Sequence, residues 1–245
     1  MRNVVWFLFA LVAGASSASI LLLYRPDLYI GISDTLSWRL SMPPVGQTRL
    51  ETTLRTIHMR ADALVNGDAT VLLGDSHLHG LPGSVLGRPV VNYAIAGETA
   101  DQMAIRVGLY GSLARARRVI LLSGRNDLAR GQTPAQVAQS ITRTLDRIPT
   151  TTPISLVAIP ALGTPPINGD PAAEANRLLE QICSARSQCR FIDTRPLADA
   201  TGALRAEYCA ADGIHLTSKG YAKLSSLILA GIQESPTISA ADGSR

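Results

Sequence analysis

Five short runs of apolar and β-branched residues, separated by helical patterns, constrain the fold of this chain most strongly. Each run is bounded by turn residues and is apolar almost throughout, which is typical of strands buried on both faces of a parallel sheet. Because helices alternate with these strands, the sequence predicts a doubly wound, three-layer α/β/α sandwich around a five-stranded parallel sheet. The predicted strands span residues 69–73, 89–92, 118–123, 154–159 and 190–193.

Apolar residues recur at three- and four-residue spacing between the strands and predict the helices that cover the sheet. The same spacing at Leu50, Leu54 and Ile57 predicts an amphipathic helix over residues 50–65, before the first strand. We expect this helix to pack on the domain, with His58 on the surface, since it is too short for a dimerising coiled coil. The covering helices are predicted over residues 99–116, 134–148, 171–186 and 218–233.

The composition excludes several other classes of protein. Of the 245 residues, 46% are hydrophobic and 17% are charged, so the chain can build a sizeable core and is not a disordered polymer. Three cysteines are too few for a disulfide-built miniprotein, and no Cys or His cluster has the spacing of a zinc site. The net charge of +4 rests on scattered arginines and on Lys219 and Lys223, so we do not expect nucleic acid as a partner.

An uncharged segment near the N-terminus, residues 4–24, is long enough to cross a bilayer as one transmembrane helix. Its apolar run resumes beyond the small residues 15–19, which favours an uncleaved membrane anchor over a secretory signal cut after Ala18. Either interpretation exports the rest of the chain, so we expect a periplasmic domain that is held on the membrane or secreted. We predict that residues 26–66 form a tether that includes the amphipathic helix. Residues 67–235 are predicted to form the main domain, and residues 236–245 a flexible tail.

Export also affects the cysteines, because disulfides form in oxidising compartments. Cys183 and Cys189 lie on either side of the turn before the fifth strand, close enough in sequence to form a bridge. We predict this pairing, with Cys209 free. A bridge between Cys189 and Cys209 is the alternative, and it would hold the loop that follows Cys209.

Polar residues and glycines follow the strands at the edge where α/β folds bind their ligands, the carboxyl ends of the strands. Ser76 follows the first strand, Gly97 the second and Asn126 the third. Asp212 and His215 lie after the fifth strand, in a loop just before the last helix. We expect the first three to converge on one edge of the sheet, and the Asp212–His215 loop can fold back over that edge.

These residue types together fit a site for acyl transfer. Ser76 needs a base to become a nucleophile, His215 can be that base, and Asp212 can hold the imidazole in one tautomer. The backbone N–H groups of Ser76 and Gly97 and the side-chain amide of Asn126 would donate to the developing oxyanion. The alternative roles are structural: Ser76 or its neighbour Asp75 would cap a helix, and Asn126 would form an ordinary turn with the aspartate that follows it.

Four blocks within residues 70–232 resemble, in their order, the SGNH hydrolases, also called GDSL esterases and lipases. The resemblance implies a flavodoxin-like fold and ester hydrolysis through an acyl-enzyme, without cofactor or metal. It also implies a catalytic triad of Ser76, Asp212 and His215, and an oxyanion hole made by Ser76, Gly97 and Asn126. The blocks are Gly-Asp-Ser at 74–76, Gly97 within NYAIAGET, Gly-x-Asn-Asp at 124–127 and Asp-x-x-His at 212–215.

One residue departs from the pattern of that family. His77 stands where the family usually has leucine, directly after the expected nucleophile. His77 and His79 form an H-x-H pair, but two histidines without a third ligand do not make a metal site. We therefore expect both to be exposed loop histidines that bind no metal, and we expect His77 to affect substrate preference.

The spacing of the blocks bears on the substrate. The connections from Ser76 to Gly97 and from Gly97 to Asn126 have room for one helix each and for no long apolar lid. The loop at residues 160–170 is rich in Pro and Gly and suits a shallow rim. We therefore expect a serine esterase that removes short acyl groups, O-acetyl above all, from carbohydrate. The alternatives are an acyltransferase that decorates an envelope polysaccharide, a lysophospholipase or thioesterase, and a non-catalytic glycan-binding scaffold.

Overall fold

The computed structural model describes residues 45–166 and 169–233. The chain divides into two compact units, Met1–Thr53 and Leu54–Arg245. Of the first unit only residues 45–53 are described, and they are helical; the sheet and the candidate site belong to the second. The predicted anchor at residues 4–24 and the predicted tail at residues 236–245 lie outside the described residues. Within the described ranges, none of the helices combines the length and the apolar character needed to span a bilayer.

Five parallel strands form the sheet: β1 (Thr70–Gly74), β2 (Val90–Asn92), β3 (Arg118–Leu122), β4 (Ile154–Val157) and β5 (Cys189–Ile192). Their spatial order is β2-β1-β3-β4-β5, which confirms the predicted five-stranded parallel sheet. The order changes direction at β1, since β2 pairs with one side of β1 and β3 with the other. Folds of this class bind ligands at such a switch, beyond the carboxyl ends of the strands, which here are β1 and β3.

Alternate residues of the strands point to opposite faces of the sheet and build two separate cores. Val71 and Leu73 of β1 are buried on one face, and Leu72 between them is buried on the other. Ile120 of β3 shares the face of Leu72, whereas Leu121 shares the face of Val71. All five side chains are fully buried, which explains why these strands read as continuous apolar runs.

Helices cover both faces and complete the three layers. The helix α1 (Val45–Asp62) precedes the sheet. One face is covered by α3 (Ala100–Arg106), α5 (Pro134–Leu145) and α6 (Pro171–Ser184), while α2 (Ser76–His79) and α7 (Ser218–Gln233) contribute to the core on the other. Threonine and glutamine side chains form capping boxes at the start of α3 and α5, and these boxes pair N–H groups that the first helical turn leaves without a partner. A short helix, α4 (Arg125–Ala129), follows β3.

The prediction of a single helix over residues 99–116 is wrong for the second half of that range. The α-helix ends at Arg106, and the chain continues as two 3-10 turns, Val107–Leu109 and Gly111–Ala114. Gly108 and Gly111 account for the break, because glycine costs a helix interior about 1 kcal/mol relative to alanine. The apolar periodicity survives in these turns, since they bury Val107 and Leu113.

His58 of α1 is buried, so the expectation that it lies on the surface is wrong. Its ring centre lies 5.1 Å from that of Tyr93 and 6.4 Å from that of Tyr110. One turn later, Asp62 accepts hydrogen bonds from the Tyr93 hydroxyl at 3.0 Å and from the Ser112 N–H at 3.1 Å. These polar contacts attach the end of α1 to the segment after β2 and to the second 3-10 turn, and a purely apolar periodicity does not reveal them.

The three cysteines follow the favoured pairing. Cys183 near the end of α6 and Cys189 at the start of β5 form a disulfide. Cys209 is free and only partly buried. The bridge therefore closes the short α6–β5 turn, and the loop after Cys209 is held by other contacts.

Candidate active site

Ser76 is the first residue of α2 and follows β1 with a single residue between them. A side chain at Gly74 would place its Cβ 2.0 Å from the Leu122 carbonyl oxygen, so only glycine lets β1 end this close to β3. Asp75 caps α2, because its carboxylate accepts the His77 backbone N–H at 3.0 Å. The expected capping role thus falls to Asp75, and the Ser76 hydroxyl is left to make another contact.

That contact is with His215. The Nε2 atom of His215 lies 2.9 Å from Ser76 Oγ, and its Nδ1 atom lies 2.6 Å from Asp212 Oδ2. The other oxygen of Asp212 accepts the backbone N–H groups of Ile214 and His215, each at 2.9 Å. The structure therefore brings Ser76, His215 and Asp212 into one hydrogen-bonded row, although 139 residues separate the first two.

The carboxylate of Asp212 is strongly stabilised in its charged form. Its hydrogen bond with the His215 side chain, followed by those from the His215 and Ile214 backbone, lowers the pKa of Asp212 to about 2. An ionised Asp212 favours the tautomer of His215 that carries its proton on Nδ1. Nε2 can then accept the hydroxyl proton of Ser76, which is the task of a general base.

The row is open to solvent. The side chains of His215 and Asp212 are 42% and 50% exposed, and Ser76 is half-buried. A substrate therefore has direct access to Ser76 from one side of the sheet edge.

Three hydrogen-bond donors lie on the turns that follow β1, β2 and β3. Within the described residues, the backbone N–H groups of Ser76 and Gly97 donate to no protein acceptor. Asn126 donates one N–H of its side-chain amide to the Glu98 carbonyl at 2.9 Å and retains a second one. Gly97 has a φ of +78°, a left-handed conformation that favours glycine. The sequence predicts these same three donors.

A buried ion pair holds the turn that contains Gly97. Glu98 and Arg106 are paired through Oε1 and Nε, and both side chains are fully buried. Arg106 also donates to the Tyr93 carbonyl at 2.8 Å and to the Tyr110 hydroxyl at 2.8 Å. Arg106 thus binds both ends of the segment from residue 93 to residue 98. The sequence analysis does not predict this pair. Glu98 lies in the turn before α3 and Arg106 is the last residue of α3, so their spacing matches no regular helical pair.

Asp127 links the turn after β3 to the start of α3. Its carboxylate accepts the Ala100 backbone N–H at 2.8 Å, so it acts across two elements rather than in an ordinary local turn. Burial raises the pKa of Asp127, and the N–H groups that it accepts oppose that rise. The contact fixes the Asn126 turn relative to the Gly97 turn.

His77 is buried, which corrects the expectation of two exposed loop histidines; His79 alone is exposed. The two ring nitrogens of His77 face Asp75 and the Ile214 carbonyl oxygen. His79 Nδ1 lies 2.8 Å from the Ala94 carbonyl oxygen. The described residues contain no group of three His, Cys, Asp or Glu side chains arranged to hold a metal ion.

Solved structures with this fold come from several bacteria. A GDSL-like lipase from Bacteroides thetaiotaomicron has a TM-score of 0.60 at 18% identity, covering 74% of this chain and 98% of that one. A lipase/acylhydrolase from Enterococcus faecalis has a TM-score of 0.58 at 20% identity, covering 68% and 95%. A variant of an acetyl-xylooligosaccharide esterase from Geobacillus has a TM-score of 0.57 at 18% identity, covering 68% and 94%. At these identities the likeness establishes the fold.

The family follows from a comparison with family models. No curated protein matches the chain. The model of the GDSL-like lipase/acylhydrolase family matches residues 67–223, which is more than half of the sequence and contains every turn described above. The chain therefore belongs to the GDSL-like lipase/acylhydrolase family and is a serine hydrolase that acts on ester bonds.

Proposed function

We propose that Ser76 is the nucleophile of this hydrolase, that His215 is its general base and acid, and that Asp212 orients His215. The observation that carries this proposal is the continuous row of hydrogen bonds, 2.9 Å from Ser76 Oγ to His215 Nε2 and 2.6 Å from His215 Nδ1 to Asp212 Oδ2. The N–H groups of Ser76, Gly97 and Asn126 are the proposed oxyanion hole.

The proposed reaction has two halves. Ser76 Oγ bonds to the ester carbonyl carbon as its proton passes to His215 Nε2, and the carbonyl oxygen becomes an oxyanion. The carbon–oxygen bond to the alcohol then breaks, and His215 gives its proton to the departing alcohol. Water attacks the acyl-enzyme in the same way and releases the carboxylic acid, with Ser76 regaining its proton from His215. No cofactor takes part in the proposed steps.

The proposed substrate is a short acyl ester, an O-acetyl group on carbohydrate. The exposure of His215 and Asp212 supports this, because an open site has little apolar wall for a long acyl chain. The related fold of an acetyl-xylooligosaccharide esterase gives further support. A shallow groove of about 480 Å³, bordered by Gly163, Asp199 and Gly213, lies next to the Asp212 loop, and neither Ser76 nor His215 lines it.

We also propose that the enzyme works outside the cytoplasm, on the membrane. This location rests on the uncharged residues 4–24 and agrees with the disulfide between Cys183 and Cys189. Envelope polysaccharide would then be within reach of the site. Export with cleavage of the N-terminal segment is the alternative, and sequencing the mature N-terminus distinguishes the two.

The substrate proposal is tested by measuring kcat/KM for acetyl, butyryl, octanoyl and palmitoyl esters. We expect a maximum at acetyl or butyryl. An apolar channel would add about 0.8 kcal/mol for each buried methylene, so a maximum at octanoyl or longer would contradict the carbohydrate proposal and favour a lysophospholipase or thioesterase. Adding a glycan acceptor to the acetyl assay separates hydrolysis from transfer, because an acyltransferase would form acetylated glycan faster than free acetate.

A further inference from the structure

The imidazole of His77 joins the turn that carries Ser76 to the loop that carries His215. The ring is 1% exposed. Its Nδ1 atom lies 3.2 Å from Asp75 Oδ1, and its Nε2 atom lies 3.2 Å from the carbonyl oxygen of Ile214. The His77 side chain therefore bridges two segments that are 137 residues apart along the chain.

The Asp75 end of this bridge is firmly placed. Asp75 is fully buried, and the same oxygen that faces the His77 ring accepts the His77 backbone N–H at 3.0 Å. Asp75 is also the N-cap of α2, whose first residue is Ser76. The ring of His77 is thereby fixed relative to the nucleophile turn.

The Ile214 end of the bridge lies beside the proposed base. Ile214 directly precedes His215, and the centres of the His77 and His215 rings are 5.9 Å apart. The side chains of Asp212 and His215 are roughly half exposed, so this part of the loop gains little support from burial. A hydrogen bond to the Ile214 carbonyl restrains the backbone that carries His215.

We propose that His77 is a positioning residue for the reaction proposed above, on which this inference rests. An N–H on Nε2 of His77 donates to the Ile214 carbonyl and holds His215 Nε2 within hydrogen-bonding distance of Ser76 Oγ. On the other side of the ring, Nδ1 contacts Asp75 Oδ1. Leucine, the usual residue of the GDSL motif at this position, makes neither contact.

Three substitutions of His77 distinguish the contribution of the Ile214 contact from that of the Asp75 contact. In His77→Gln the amide nitrogen can take the place of Nε2 and keep a donor for Ile214. In His77→Asn the shorter amide keeps a donor near Asp75 and cannot reach Ile214. His77→Leu loses both hydrogen bonds and restores the usual residue of the family. Gln and Asn are a matched pair, since they differ by one methylene and have the same polar group.

The measurement is steady-state hydrolysis of an acetyl ester, with folding followed by circular dichroism. We expect His77→Gln to keep kcat within about threefold of the wild type. His77→Asn and His77→Leu should lose between about 10-fold and 100-fold in kcat, with KM nearly unchanged, because small displacements of a reacting group have effects of this size. A merely structural role would lower the melting temperature and leave kcat per folded molecule unchanged.

Ser76→Ala is measured in the same assay to keep the two proposals apart. Full turnover by Ser76→Ala overturns the assignment of the nucleophile itself. Loss of turnover in Ser76→Ala together with a wild-type kcat in folded His77→Leu overturns the positioning role alone. If His77→Leu does not fold, the amide pair decides: equal kcat values for His77→Gln and His77→Asn, or a slower His77→Gln, contradict the inference.

Discussion

Asn126 commits one of its two amide N–H groups to the protein and keeps the other for the proposed oxyanion. The bond to the Glu98 carbonyl sets the direction of the side chain, and the Glu98 carboxylate is itself paired with the buried Arg106. Such fixed donors stabilise a developing charge well, because they need no reorganisation during the reaction. The orientation of the Asn126 amide thus depends on Glu98, whose carboxylate is held by the ion pair with Arg106.

Removal of this amide should affect the chemical step. We expect Asn126→Ala to lower kcat by about 10² to 10³-fold with a small change in KM, because the lost hydrogen bond is strongest in the transition state. Steady-state kinetics on an acetyl ester measures both constants, and Gln132→Ala, which removes an exposed amide nearby, is the control. A higher KM with an unchanged kcat would mean that Asn126 binds the ground state instead.

Among the secondary structure elements, α1 places a buried histidine, His58, against the rings of Tyr93 and Tyr110. Burial, followed by the nearby charges of Arg106 and His79, lowers the pKa of His58 to about 4. Its Nδ1 atom is buried and has no hydrogen-bond partner within the described part of the chain. A charged imidazole at this position is therefore unfavourable, and the folded protein keeps His58 neutral at neutral pH.

This neutral state predicts how stability depends on pH. The pKa of histidine in an unfolded chain is about 6.5, so between pH 6.5 and 4 the unfolded state binds a proton that the folded state excludes. The contribution of His58 to the free energy of unfolding is therefore complete above pH 6.5 and decreases as the pH falls toward 4. The loss is at most about 1.4 kcal/mol per pH unit, and less where solvent reaches the ring.

Urea unfolding of the wild type and of His58→Gln at pH 7 and pH 5 measures this effect. The glutamine side chain takes up no proton in this range, so its free energy of unfolding should fall less between the two pH values than that of the wild type. Other titrating groups are common to both proteins and cancel in the comparison. An equal pH dependence in the two proteins would show that His58 is not the responsible group.

The strands and the histidines differ in how far the sequence predicts them. Val71 to Leu73 are apolar without a break, and this pattern alone indicates a strand that is buried on both faces. His58 and His77 are polar residues inside the protein, and only the partners that the fold brings to them explain their burial. Those partners, such as Tyr93 for His58 and Ile214 for His77, are distant in sequence.

For the molecule as a whole, the topology of the sheet explains why the site residues could be predicted. Ser76, Gly97 and Asn126 follow parallel strands, and the carboxyl ends of parallel strands lie at the same edge. The position of the Asp212–His215 loop does not follow from that rule, because it lies beyond the last strand. Its place beside Ser76 is predicted instead from the chemistry of an acid and a histidine near a serine, together with the motif order, and the hydrogen bonds of His215 give that place a physical basis.

The central claim, that Ser76 is the nucleophile, is tested most directly by labelling the protein with a fluorophosphonate and mapping the adduct by peptide mass spectrometry. We predict a single adduct on Ser76 whose formation parallels the loss of ester hydrolysis. The folded Ser76→Ala variant should take no label and should hydrolyse no ester. An adduct on another residue, or ester turnover by Ser76→Ala at the wild-type rate, would contradict the account.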